Sequence, residues 1–363
     1  MTGNGTTAAR SRIRVLIADD SAVMRRVLRT ILEKQSRMEV VGTASNGKEA
    51  IVEFERLRPD LLLLDVEMPE MDGLQALSRV RQIDRKVPVI MCSTLTQRGV
   101  QTTIEALSRG ATDYVSKQGA QSALSPGAPG LDRELIPKIL ALFPESTQAA
   151  CPLEVLPAAS RTLPPSAPIP GLAAIVIAVS TGGPAALEVI LPRLPARFPV
   201  PILIVQHMPM QFTAQLASRL NSLCRMPVRE AVDRHQATAG TIYLARGDWH
   251  LELTRDFRMR LQQNVPECFC RPSADVLFRS ASVATGGHLL GVVLTGMGSD
   301  GLEGSRAIRA AGGSIFAQDS TSSIVWGMPG SVANAGLANK IVALQSMADE
   351  LIRFVSISLP RSA

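Results

Sequence analysis

A chain of 363 residues with 46% hydrophobic and 19% charged side chains has enough apolar material for two ordinary cores, which excludes wholesale disorder. Mean hydropathy is +0.15, yet no apolar run reaches the roughly 18 residues of a spanning helix and the N-terminus lacks a signal-peptide core, so a cytoplasmic chain without membrane insertion is expected. The net charge of +6 comes without zinc-finger spacing, an RNP-like motif or a basic arm, which argues against nucleic-acid binding.

The first twelve residues read as a flexible tail. From residue 13 the pattern of strand and helix repeats five times. Ile13 to Ala18 is an apolar strand ending in Asp19-Asp20, and Ser21 caps a helix running to about Lys34. Met38 to Thr43 is the second strand, followed by a helix over Lys48 to Leu57. The third strand, Leu61 to Leu64, ends in Asp65 and leads to a helix from near Gly73. The fourth, Val87 to Cys92, ends in Ser93-Thr94, with a helix up to Gly110. The fifth, Thr112 to Val115, ends just before Lys117, and a last helix spans about Asp132 to Phe143. Such alternation predicts a parallel sheet whose carboxyl edge gathers Asp19, Asp20, Asp65, Ser93 and Lys117. Several carboxylates together repel unless a cation compensates, and a hard divalent ion such as Mg²⁺ takes two or so of them. If each acid only capped a helix, Asp19 or Asp20 would be explained but Asp65, ending an all-leucine strand, would not.

These residues, with Met68-Pro69-x-Met71-Asp72-Gly73 and Tyr114, resemble the response-regulator receiver family over about residues 13–143. The resemblance implies that Asp65 accepts a phosphoryl group from a chemotaxis histidine kinase. It further implies Mg²⁺ on Asp20, Asp65 and the carbonyl of Glu67, phosphoryl contacts from Ser93 and Lys117, and Tyr114 as an aromatic switch. One departure is Gln118 where the family has proline after the lysine. A cis bond before a non-proline costs about 2.5–4 kcal/mol, so a trans or rearranged loop is expected there.

Residues 144–170 are rich in proline, alanine, serine and threonine and read as a linker joining two separate cores. A second alternation of strand and helix over residues 171–360 predicts another parallel α/β domain. Its first strand, Ala173 to Val179, stops at Ser180-Thr181-Gly182-Gly183-Pro184. Two glycines and a proline at a first helical position suit a strand-to-helix turn that lifts one hydroxyl clear of the sheet. Taken alone, the segment fits a plain helix cap by Ser180 or Thr181, since cap serines outnumber nucleophiles.

The strand Pro201 to Val205 ends in Gln206-His207-Met208-Pro209, which places His207 to act as general base. The other three histidines fit less well: His235 lies in a polar turn, His250 in a β-hairpin and His288 at the amino end of a strand. That last strand, His288 to Leu294, ends in Thr295-Gly296-Met297-Gly298-Ser299-Asp300-Gly301, whose Asp300 can reach the same edge and orient the imidazole. The order Ser, His, Asp and the missing G-x-S-x-G elbow disfavour an ordinary lipase or esterase. Five cysteines are few and scattered, which suits reduced thiols. Cys268-x-Cys270 has no second pair and no histidine near it in the chain, so zinc is not expected.

With Arg271-Pro272-Ser273-Ala274-Asp275-Val276-Leu277-Phe278, Ala317-Gln318-Asp319 and Gly327-Met328-Pro329 added, residues 171–360 resemble the catalytic domain of the chemotaxis protein-glutamate methylesterases. The resemblance implies a Rossmann-like serine hydrolase with Ser180 as nucleophile, His207 as base and Asp300 as orienting acid. It needs no cofactor for ester hydrolysis and acts on glutamate methyl esters, and in many members on glutamines, of methyl-accepting chemoreceptors. The Met297 amide is a candidate oxyanion donor. Departures are Ala178-Val179 in place of Gly-Ala before the serine, which could narrow the turn, and Cys270 in place of a histidine before Arg271-Pro272, which alters a rim contact. A monomer is expected, with the receiver covering the active-site edge until Asp65 is phosphorylated. Two rivals remain: a noncatalytic receptor-binding module, and a transcriptional regulator, for which no helix-turn-helix follows the linker.

Overall fold

The computed structural model describes residues 12–117, 130–144 and 169–358, so Gln118 and nearly all of the expected tail and linker fall outside the described residues. The chain divides into two compact units, Met1–Phe143 and Pro144–Ala363.

In the first unit, strands β1 (Ile13–Ala18), β2 (Met38–Ala44), β3 (Leu61–Asp65), β4 (Val89–Ser93) and β5 (Asp113–Ser116) run parallel in the order β2-β1-β3-β4-β5. Helices α1 (Ala22–Glu33), α2 (Gly47–Leu57), α3 (Gly73–Ile83), α4 (Gln97–Ser108) and α5 (Leu131–Leu142) make the connections. Ser21 caps α1 as its sequence requires, its Oγ accepting from the Met24 amide at 3.3 Å. Strand β3 is buried throughout, and Leu61 and Leu63 join the core shared with α1 and α5. Each such leucine contributes about 1.5–3 kcal/mol relative to exposure, which holds Asp65 at a fixed place on the carboxyl edge.

The second unit contains, in chain order, β6 (Ala174–Val179), α6 (Gly183–Ile190), β7 (Ile202–Gln206), α7 (Met210–Leu223), β8 (Val228–Glu230) and β9 (Ile242–Leu244). The hairpin β10 (His250–Leu253) and β11 (Met259–Gln262) follows, then α8 (Ala274–Thr285), β12 (Leu289–Val293) and α9 (Leu302–Ala310). The unit closes with β13 (Ser314–Gln318), α10 (Met328–Asn334), β14 (Lys340–Val342) and α11 (Leu344–Ser358). Seven strands form one parallel sheet in the order β14-β13-β12-β6-β7-β9-β8. From β6 the chain first builds outward through β7 and later returns to β6's other side as β12. A crevice therefore opens at the carboxyl ends of β6 and its neighbours, where open α/β sheets place their ligands. Ser180 follows β6, His207 follows β7, and the loop holding Asp300 follows β12.

Candidate active site

The Ser180 turn is held from three sides. The Ser180 amide donates to the Thr295 carbonyl at 3.0 Å, while the Ser180 carbonyl accepts from the Gly183 amide at 2.8 Å and from Gln206 Nε2 at 3.0 Å. Thr295 Oγ1 donates to the Thr181 carbonyl at 2.9 Å and accepts from the Val325 amide at 3.0 Å. Helix α6 is capped by Gly182, with φ 77° and no side-chain hydrogen bond, so neither Ser180 nor Thr181 serves as a cap. Helix α6 opens on Gly183, which puts Pro184 one place later than the first helical position expected of it. Ala178 and Val179 are buried in β6, and the Val179 carbonyl accepts the His207 amide at 3.1 Å.

His207 Nε2 lies 2.7 Å from Asp300 Oδ2. Asp300 is itself buried and heavily bonded: it accepts from Ala274 N at 2.7 Å, Ser273 Oγ at 2.8 Å, and the Asp275 and Gly301 amides at 3.0 Å each. Ala274 and Asp275 open α8, so the carboxylate rests on a helix N-terminus whose amides and dipole favour negative charge. The arrangement is reciprocal, because Asp275 Oδ1 accepts from Gly304 N of α9 at 2.6 Å. Sequence reasoning put Asp300 on the correct edge but missed Ser273, Thr295 and Gln206. Their signal lay in the quoted motifs, which gave no partner for them.

Burial would raise the Asp300 pKa, but His207 and the amide donors hold it below the ordinary carboxylate value. Burial would lower that of His207, but the bonds to Asp300 and to the Cys270 sulfur outweigh it and raise the imidazole to about 10. Cys270 is therefore more than a rim contact. Its Sγ lies 3.7 Å from His207 Nδ1, so a histidine absent from the neighbouring sequence is brought against this thiol by the fold. The ring makes its contacts with Asp300 and Cys270, and no hydrogen bond to Ser180 closes in this state. Apo sites often tighten such bonds only with substrate present. Met297 is 37% exposed beside the turn, and its amide donates to no other group among the described residues. The remaining histidines are placed elsewhere: His235 is exposed, His250 is buried and accepts from the Ser273 amide at 3.2 Å, and His288 bonds the Pro170 carbonyl at 2.8 Å.

On the first unit's carboxyl edge, Lys117 Nζ stands 2.8 Å from Asp19 Oδ2 and 2.7 Å from Asp65 Oδ1. Burial pushes Asp65 up to about 6; Lys117 opposes this and Asp19 adds to it. Lys117 is also shifted upward, because the two carboxylates outweigh its burial. One oxygen from each of Asp19, Asp20 and Asp65 lies within 4.8 Å of the others. The wholly buried Asp19 Oδ2 has the Lys117 ammonium as its partner. Three carboxylates gathered against a single ammonium leave excess negative charge, which fits a hard divalent cation. Asp19 thus joins the expected Asp20 and Asp65, while Glu67 lies beside them with its amide 3.4 Å from Asp65 Oδ1. The Ser93 side chain is tied to α4. Its buried hydroxyl donates towards the Thr94 and Gly99 carbonyls, at 3.0 and 3.2 Å, and accepts from Thr103 Oγ1 at 2.8 Å. Tyr114 is buried with the Lys138 ammonium 4.8 Å from its ring centre.

Both units match known families. The CheB methylesterase family matches residues 175–351 and the response regulator receiver domain matches residues 15–126. A protein-glutamate methylesterase/protein-glutamine glutaminase of Trichodesmium erythraeum is 44% identical over 94% of this chain and 99% of its own. One of the same name from Nocardioides is 45% identical over 94% of this chain and 95% of its own. The solved catalytic domain of Thermotoga maritima CheB methylesterase is 37% identical, covering 50% of this chain and 97% of that one with a TM-score of 0.49.

Proposed function

Because the chain belongs to the CheB methylesterase family and carries a receiver domain, we propose that Ser180, His207 and Asp300 perform its hydrolysis under control of Asp65. The protein is a receiver-regulated hydrolase of protein glutamate methyl esters, acting in chemotaxis adaptation. We assign the receiver to residues 13–143 and the catalytic domain to 171–360. Ser180 Oγ attacks the ester carbonyl while His207 Nδ1, the nitrogen not bonded to Asp300, takes its proton. His207 then returns that proton to the leaving methanol, and a water activated by the same ring releases the glutamate. The Met297 amide holds the oxyanion. Glutamine deamidation follows the same course with ammonia as leaving group, on the same chemoreceptor helices.

In the receiver, Asp65 takes the phosphoryl group from a histidine kinase, Asp20 and the Glu67 carbonyl complete its metal site, and Lys117 faces the added charge. Mg²⁺, when bound there, neutralises phosphoryl oxygens. Ser93 and Tyr114 report the phosphorylated state by rearranging towards it. The observation that carries the catalytic reading is the 2.7 Å His207–Asp300 bond at the same sheet edge as Ser180. Methanol release from methylated receptor membranes, with and without a small phosphodonor, tests it. The expected result is release that the phosphodonor stimulates and Ser180→Ala abolishes; release surviving that substitution would remove Ser180 from the mechanism.

A further inference from the structure

We propose that His207 and the thiols of Cys268 and Cys270 form a binding site for a thiophilic divalent cation of the Zn²⁺ class, which switches the hydrolase off by occupying the nitrogen it needs as a base. The inhibitory part rests on the role proposed above for His207; the binding part does not. Glu267 and Cys270 exchange two backbone hydrogen bonds, at 3.1 and 2.8 Å, across a two-residue turn in which Cys268 and Phe269 both have positive φ, 50° and 62°. Phe269 is fully exposed and Cys268 exposed, while Cys270 is partly buried. Cys270 Sγ comes within 3.7 Å of His207 Nδ1, and Cys268 Sγ within 3.7 Å of Asp275 Oδ2.

Donor atoms of His207, Cys270 and Asp300 lie within 4.8 Å of one another, as do those of Cys268, Asp275 and Asp300. Asp300 is common to both sets, which places the two thiols around one carboxylate. With Zn–S near 2.3 Å and Zn–N near 2.0–2.1 Å, neighbouring tetrahedral donors sit about 3.5 Å apart, so the Cys270–His207 spacing needs little adjustment. The ring is already oriented for it. Metal-bound histidines typically give their second nitrogen to a carboxylate, as His207 Nε2 does with Asp300. The Asp300 oxygens are occupied by four further donors and the carboxylate stays in this outer position. His207 Nδ1 and Cys270 Sγ are then the fixed ligands, the exposed Cys268 swings in as the third, and water fills the fourth place. Thiols bind such a cation as thiolates and release their protons on binding, so binding strengthens with pH. Mg²⁺ prefers all-oxygen sites and is directed to the receiver carboxylates instead.

Co²⁺ titration of the full chain decides the matter by thiolate-to-metal charge-transfer absorption, which needs no catalytic activity. One equivalent should develop the bands, Zn²⁺ should bleach them and excess Mg²⁺ should not. They should vanish in Cys270→Ser, weaken in Cys268→Ser and persist in Cys224→Ser. In methanol release, Zn²⁺ should inhibit reversibly by chelator, and Cys270→Ser should need at least about tenfold more Zn²⁺ for the same fractional inhibition. Bands that survive Cys270→Ser, or that never form, would overturn the site. Bands that form without Zn²⁺ inhibition of an active enzyme would overturn the switch, and bands in a chain that releases no methanol at all would count against the hydrolase reading alone.

Discussion

His207 and Asp300 are joined by a 2.7 Å bond through Nε2 and Oδ2, and the remaining Asp300 donors come from the start of α8 and from Gly301. The acid is therefore a junction between the base and a helix N-terminus as well as an orienting group. Asp300→Asn keeps the shape but replaces one acceptor oxygen with an amide NH2 group that faces donors. We expect kcat for methanol release to fall about 10³- to 10⁴-fold with KM little changed. The melting temperature should fall as well, because the buried α8 amides lose a charged acceptor. Full activity in this variant would separate Asp300 from catalysis.

The pH profile follows from the upward shift of His207. A general base must be neutral, so an imidazole raised above its ordinary 6.5 keeps kcat/KM climbing with pH beyond the range of a free histidine. Cys270 is one of the groups that raise it. Cys270→Ala should therefore move the acid limb to lower pH, and an unmoved limb would contradict the coupling. The same shift has a sign for stability: it favours the fold fully below about 6.5, and the contribution fades as pH rises through the raised value near 10. Melting curves of His207→Gln against wild type should differ most at the acid end of that window.

The receiver edge yields a third expectation. Lys117 compensates two buried carboxylates, Asp19 and Asp65, from less than 3 Å. Lys117→Ala leaves both unpaired and should destabilise the first unit by about 3–5 kcal/mol, measured by denaturant unfolding. Mg²⁺ should restore part of that loss, and more for Lys117→Ala than for wild type. Asp65→Asn, by contrast, should leave basal methanol release intact and abolish its response to phosphodonor. A response that persists in Asp65→Asn would place the phosphoacceptor elsewhere.

Strand ends carried most of what the sequence revealed. Apolar runs halting at Asp65, Ser180 and His207 state both the parallel sheets and the residues on their carboxyl edges, because a buried strand tolerates polar groups only where it leaves the core. What stayed hidden depends on contacts between distant segments. Ala274 reaches Asp300 across 26 residues and Cys270 reaches His207 across 63, and no local spacing encodes either. A histidine beside Cys270 is therefore invisible to any reading of spacing along the chain. Ser93 illustrates another limit: its position on β4 was legible, but a hydroxyl rotor is set by its neighbours, and Gly99 and Thr103 draw it into α4.

Gly296 gives the sharpest test of the Ser180 turn. A Cβ added there would stand 2.8 Å from the Ser180 Cβ and 2.4 Å from Met328 Sδ. The methionine tip can yield, but the serine is tied to the sheet by its amide bond to the Thr295 carbonyl at 3.0 Å, so the strain falls on the nucleophile's position. A displacement of about 1 Å is enough to cost on the order of 10²-fold in rate. Gly296→Ala should thus lose about that much kcat while its melting temperature falls by only a few degrees. Gly298→Ala, whose added Cβ meets no atom within 4 Å, serves as the control in the same loop, though its φ of 82° makes it the more strained backbone. If backbone strain rather than crowding governed the site, Gly298→Ala would be the less active of the two; crowding of Ser180 predicts the reverse order.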